Sequence, residues 1–194
     1  MSDPNTTRRK VLIGITAAVG AAGVPFAVTP FISAWNPSAK AKALGAAVKL
    51  DVSKIQPGQK IQVSWRKQPV FVIRHTSQAL ESLADVEFKL DDPSSLNIDE
   101  PYRGLNITRS KSEEYSVLAG VCTHLGCSPK YYPEMESKPW DSSWSGGFFC
   151  PCHGSMFDLV GRVYRGVPAP TNLKVPPHFF SGSILTIGED QNTA

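Results

Sequence analysis

The sequence predicts a mostly β head carried behind one N-terminal apolar helix. Residues 11–35 form a 25-residue stretch with no charged side chain. From residue 49 onward, short runs alternate polar and apolar residues or gather β-branched and aromatic ones, separated by Pro and Gly turns. All four cysteines lie in two boxes of the second half, with two of the four histidines: Cys122-Thr-His124-Leu-Gly-Cys127 and Cys150-Pro-Cys152-His153-Gly-Ser155.

Residues 1–10 read as a basic tail, with Arg8, Arg9 and Lys10 against Asp3. As a helix, residues 11–35 would run about 37 Å, enough for a hydrocarbon core of about 30 Å. Pro25 and Pro30 are expected to kink or shorten it, and Trp35 suits the far interface. The basic residues before the helix place the N-terminus in the cytoplasm and the C-terminal head on the opposite side. Thr7-Arg8-Arg9-Lys10-Val11-Leu12 resembles a twin-arginine export signal, which suits a head that crosses the membrane already folded. The same basic pair also serves as an ordinary topogenic signal. Ala39-Lys-Ala41 is faintly like a cleavage site, but 25 residues exceed a typical signal h-region, so an uncleaved anchor is expected.

Residues 36–48 are small, polar and Ala/Gly-rich, without apolar periodicity. They read as a flexible tether whose 13 residues span about 20 Å r.m.s., either a passive linker or a hinge. In the head, residues 49–194, strands are expected at 59–65, 69–73, 115–119, 148–149, 157–160 and 182–187. Residues 76–88 suggest the head's one short helix. His75 and His178 read as ordinary surface or strand histidines. The formal charge of +3 belongs to the N-terminal region: residues 49–194 hold 15 basic and 16 acidic groups, a net −1. That distribution suits membrane topology and argues against a nucleic-acid-binding face.

Two cysteines and two histidines can hold several metals, and a structural zinc is the plainest reading. The spacing argues against it. Cys-x-His sets two ligands closer than the usual zinc-finger Cys-x2-4-Cys, each box offers one Cys and one His, and each leaves one further Cys. This pattern resembles the Rieske [2Fe–2S] proteins, and more narrowly the branch serving quinol-oxidising cytochrome bc complexes. Val63-Ser-Trp65-Arg66 and Val70-Phe-Val-Ile-Arg74-His75 also resemble that family's strand segments, so the resemblance covers most of the chain.

The resemblance implies a fold of antiparallel sheets with a cluster-binding subdomain inserted at about residues 120–173. It implies one [2Fe–2S] cluster, with Cys122 and Cys150 on one iron and His124 and His153 on the other. Two imidazoles in place of two thiolates bring the oxidised centre to zero charge, so an electron is easier to add. It implies a disulfide between Cys127 and Cys152, and with it an oxidising compartment, against the alternative of two reduced, buried thiols. Ser155 matches a serine whose hydroxyl donates to a bridging sulfide and raises the potential. High-potential members carry Tyr two residues later; here that position is Phe157, so a lower potential is expected. Gly166-Val-Pro168-Ala-Pro170 resembles the proline-rich loop covering the cluster's third side, or is only a rigid turn. Leu125 matches an apolar residue at the exposed tip.

By the same resemblance, the chain is the electron-transfer subunit of a bacterial quinol–cytochrome c oxidoreductase, a translocase, redox-active only within its complex. His153 hydrogen-bonds the quinol and accepts its proton, His124 is the second outer-iron ligand, and the electron passes to cytochrome c1. The implied partners are cytochrome b, cytochrome c1 and the quinol, in a dimeric complex of the inner membrane, with the head in the periplasm and no nucleic acid involved. Rival readings are a Rieske subunit of a b6f-type complex or of an arsenite oxidase, and a zinc-stabilised binding domain. The 25 residues between His124 and Cys150 favour the bc1 type.

Overall fold

The structure, a computed structural model, describes residues 4–97, 102 and 105–190. The chain divides into two units, residues 1–43 and 44–194. In the first unit, helix α1 spans Pro4–Ser33, so the basic tail expected at 1–10 is helical from residue 4, and residues 1–3 lie outside the described residues. Pro25 and Pro30 sit inside α1 without ending it. Each removes a backbone donor, and hydroxyls one turn on add local bonds: Thr29 Oγ1 donates to the Pro25 carbonyl (2.6 Å) and Ser33 Oγ to that of Pro30 (3.0 Å). By length and composition, 5–33 can cross a membrane.

The segment expected as a coil from 36 to 48 contains a second helix, α2, at Ala39–Gly45. Its cause is local. Ser38 caps it, its Oγ accepting from the Ala41 N–H (3.2 Å), and the Ala and Lys that follow have high helix propensity. An apolar stripe is not needed for so short a turn of chain, and its absence from the sequence hid the helix.

Among the described residues of the second unit, nine strands form three antiparallel three-stranded sheets. The first joins β1 (Val48–Asp51), β9 (Ile184–Ile187) and β8 (His178–Ser181), in the order β1-β9-β8. The second joins β2 (Lys60–Trp65), β3 (Gln68–Arg74) and β4 (Tyr115–Ala119). The β2–β3 hairpin turns on Arg66 and Lys67, both in the left-handed region at φ 50° and 62°, which matches the twist of the flanking strands. The third sheet, β5 (Lys130–Tyr132), β6 (Gly147–Phe149) and β7 (Met156–Phe157), belongs to the excursion that carries both boxes. Residues 158–160, expected to continue the last of these strands, instead bend away around the Asp158 carboxylate, which accepts from the Val160 and Arg162 N–H groups.

Helix α3 (Ser77–Asp85) begins where Thr76 Oγ1 accepts from the Ala79 N–H (3.1 Å), and a 3-10 turn follows at Glu87–Lys89. The excursion leaves β4 and returns beside it: the Ala119 N–H donates to the Lys174 carbonyl (2.7 Å) and the Gly120 N–H to that of Pro69 (2.8 Å). At Gly120 the backbone passes so close to Phe71 that an added Cβ would lie 2.5 Å from its ring, so only glycine fits. One core unites the second sheet with the excursion, joining Phe71, Ile73, Leu118, Phe148, Phe157 and Leu173 to Cys122 and Cys150. A satellite core is aromatic. Trp140 stacks on Phe149 at 4.1 Å between ring centroids, and Trp144 stacks on Tyr164 at 6.0 Å.

His75 and His178 are not surface residues. Both are buried, His178 within β8 and His75 just beyond β3. Each is tolerated inside because a hydroxyl pairs with its ring: His75 Nε2 lies 2.8 Å from Ser116 Oγ, and His178 Nε2 lies 2.9 Å from Ser110 Oγ. The His178 Nδ1–H donates to the Pro176 carbonyl (2.9 Å). Burial drives the pKa of each down to about 4; for His178 the Pro176 carbonyl opposes the shift.

Candidate metal centre

Both boxes are loops of the same backbone shape. In the first, the Cys122 N–H donates to the Cys127 carbonyl (2.7 Å) and the Gly126 N–H to the Cys122 carbonyl (3.0 Å). In the second, the Cys150 N–H donates to the Ser155 carbonyl (2.8 Å) and the Gly154 N–H to the Cys150 carbonyl (2.9 Å). Each needs a left-handed residue at its fifth position, supplied by Gly126 (φ 86°) and Gly154 (φ 77°). Position by position, the first cysteine is shared, but His124 stands where the second loop has Cys152, Leu125 where it has His153, and Cys127 where it has Ser155.

A disulfide joins Cys127 to Cys152 and thereby ties the two loops. Cys122 and Cys150 are free and buried within the core, while Cys152 and His153 are exposed. The Sγ atoms of Cys127, Cys150 and Cys152 lie within 4.8 Å of one another. Burial pushes the Cys122 thiol up against the lowering effect of the His124 backbone N–H, with the nearby Cys150 raising it further and the Ser155 hydroxyl lowering it. The His124 and His153 rings meet edge to face at 4.7 Å between centroids. His124 Nδ1 is buried and has no hydrogen-bond partner among the described residues.

A third loop packs over the first two. Ser155, fully buried, accepts the Ala169 N–H on its Oγ (3.0 Å), which leaves its own proton for another acceptor. Thr123 Oγ1 donates to the Thr171 carbonyl (2.7 Å). Gly166, in the left-handed region at φ 72°, and Pro168 lie exposed on this loop, while Ala169 is buried in the core. Leu125 is 71% exposed at the tip of the first loop. Phe157 is fully buried in the same core as Cys122 and Cys150.

Sequence reasoning passed over Thr123, although a hydroxyl lying between two candidate ligands is a visible signal. It also passed over Arg109. That buried guanidinium donates to the Val160 carbonyl (3.2 Å) and the Leu173 carbonyl (2.6 Å), bracketing the chain between the second loop and the end of the third. A second buried arginine, Arg162, pairs with Asp158 at 2.7 Å and donates to the Leu83 carbonyl, fastening α3 beneath the excursion.

Residues 46–177 match the family model of the Rieske [2Fe-2S] domain. Residues 1–38 match the model described as the ubiquitinol-cytochrome C reductase Fe-S subunit TAT signal. A ubiquinol-cytochrome c reductase iron-sulfur subunit of Allochromatium vinosum is 47% identical over 191 residues, covering 98% of this chain and 92% of that one. The mitochondrial cytochrome b-c1 complex subunit Rieske of Schizosaccharomyces pombe is 36% identical over 178 residues, covering 91% of this chain and 69% of that one. Among solved structures, a chain of a hyperthermophilic respiratory complex III is 32% identical and covers 91% of this chain and 98% of its own, with a TM-score of 0.49.

Proposed function

Because this chain belongs to the Rieske [2Fe–2S] family, in the branch of the ubiquinol–cytochrome c reductase iron–sulfur subunits, we propose that Cys122, His124, Cys150 and His153 hold the cluster through which it carries electrons. The cysteines would hold one iron and the histidines the other. The donor set fits. Two buried thiols lie free in one core, and the ring whose buried Nδ1 lacks a partner among the described residues sits against a second, exposed imidazole. That unpartnered nitrogen is the observation that carries the assignment, since a buried polar atom without a partner costs about 1–3 kcal/mol unless something binds it.

When bound, the cluster supplies a one-electron couple within roughly −150 to +300 mV. Around it the chain's own residues divide the work. Cys127–Cys152 clamps the two loops, and Ser155, oriented by the Ala169 N–H, keeps its hydroxyl proton for a sulfur. The third loop, with Gly166 and Pro168, limits water on one side. Exposed His153 hydrogen-bonds the quinol oxygen and takes up its proton as the electron leaves, and exposed Leu125 packs against the rim of the quinol pocket on cytochrome b. The head then delivers the electron to cytochrome c1, with residues 36–48 as the tether on which it moves. The basic residues ahead of the apolar helix keep the N-terminus cytoplasmic and the head periplasmic, in the inner membrane of a dimeric complex.

Electron paramagnetic resonance of the dithionite-reduced protein tests the ligand set. The expected result is a Rieske-type spectrum that disappears in His124→Ala and in His153→Ala; a spectrum that survives both substitutions rejects the assignment. Ubiquinol-supported cytochrome c reduction, measured in membranes that lack this chain, tests the electron route. Loss of activity is expected, and unchanged activity rejects it.

A further inference from the structure

The disulfide lies beside a third sulfur. Cys150 Sγ is within 4.8 Å of both Cys127 Sγ and Cys152 Sγ, and Cys150 carries a free thiol. The environments of the two disulfide sulfurs differ, because Cys152 is exposed while Cys127 is half-buried.

We infer that Cys150 is an internal exchange thiol, and that iron bound to it is what keeps the Cys127–Cys152 bond in its native pairing. The reaction needs no oxidant or reductant. The Cys150 sulfur attacks Cys127 Sγ, a Cys127–Cys150 bond forms, the Cys127–Cys152 bond breaks, and Cys152 leaves as a thiolate that takes up the proton Cys150 gave away. Attack at Cys127 is favoured over attack at Cys152 because the group then expelled is the exposed sulfur, whose thiolate water can solvate. The product places one would-be ligand in a disulfide and leaves Cys152 on the surface. Loss of the cluster then becomes hard to reverse, and the iron must be in place before, or together with, the oxidation that forms the native bond.

This inference rests on the proposal that Cys150 is an iron ligand, and the test separates the two. The full-length protein is alkylated anaerobically with iodoacetamide, before and after removal of its iron by a chelator without added thiol, and the cysteine peptides are mapped by mass spectrometry. In the loaded protein neither Cys150 nor Cys152 should be labelled; label on Cys150 there rejects the ligand assignment itself. After iron removal, label is expected on Cys152, with Cys127 joined to Cys150 in most of the protein. If label appears only on Cys122 and Cys150, with Cys127–Cys152 intact, the exchange does not occur. Cys150→Ser, prepared as the iron-free chain, should keep Cys127–Cys152, whereas Cys122→Ser should still exchange. Rearrangement in Cys150→Ser overturns the assignment of the attacking thiol.

Discussion

The head holds two pairs of histidines in opposite ways. At the tip, His124 and His153 meet edge to face, one with a buried nitrogen that has no partner among the described residues and the other exposed. In and beside the sheets, His178 and His75 are buried, each with a ring nitrogen facing a serine hydroxyl, and both are held neutral by a pKa near 4. The sheets satisfy these imidazoles internally, while the tip leaves coordinating capacity at its own. Burial alone does not mark a histidine as a ligand: the more deeply buried pair is the structural one, and what distinguishes the tip is the partner it lacks.

Acid should break the lower pair first. Between pH 6.5 and about 4 the unfolded chain binds protons at His75 and His178 that the folded chain refuses. Stability is therefore full above pH 6.5 and falls as pH drops toward 4, by at most about 3 kcal/mol per histidine. Urea unfolding at pH 7.5 and 4.5 measures this, and His75→Gln together with His178→Gln should flatten the slope. An unchanged slope would mean that other groups carry it.

At the tip the largest effect is expected from Cys127→Ser, which unties the loops and should cost about 3 kcal/mol, with loss of the cluster signal on mild heating. A melting curve and a spectrum that match the parent protein would show that the metal alone holds the loops. Ser155→Ala leaves the buried Ala169 N–H unpaired and should cost about 2 kcal/mol while lowering the midpoint potential. Thr123→Val removes the other tie to the third loop and should cost about 1 kcal/mol, read as a lower denaturation midpoint with the same spectrum. A change of similar size, but in the potential rather than the stability, is expected from Phe157→Tyr. One new hydrogen bond to a sulfur, worth about 1 kcal/mol, would raise the potential by about 40 mV in a redox titration. No rise would mean that the hydroxyl reaches no sulfur in this core.

Much of the site is written locally. The two boxes carry the four candidate ligands, the two spare cysteines and Ser155 in twelve residues, six per box, and alternating or apolar β-rich runs mark β2, β3, β4 and β9. What escapes is made at a distance. Arg109 acts on carbonyls 51 and 64 residues away and Thr123 on one 48 away, and neither has a local pattern. The burial of His75 and His178 depends on serines 41 and 68 residues off. Helix α2 escaped for the converse reason: its cap and propensity are local, but it lacks the apolar face that sequence reading looks for.

The stacking of Trp140 on Phe149 has an optical consequence. Phe149 directly precedes Cys150, so this indole lies one aromatic ring and one peptide unit from a proposed cluster ligand. An iron–sulfur chromophore absorbs across the range in which tryptophan emits, so a cluster held at Cys150 would quench this indole by energy transfer. The emission of Trp140 should therefore rise as the cluster is lost, over that of Trp35, Trp65 and Trp144, and follow cluster release in real time without any added dye.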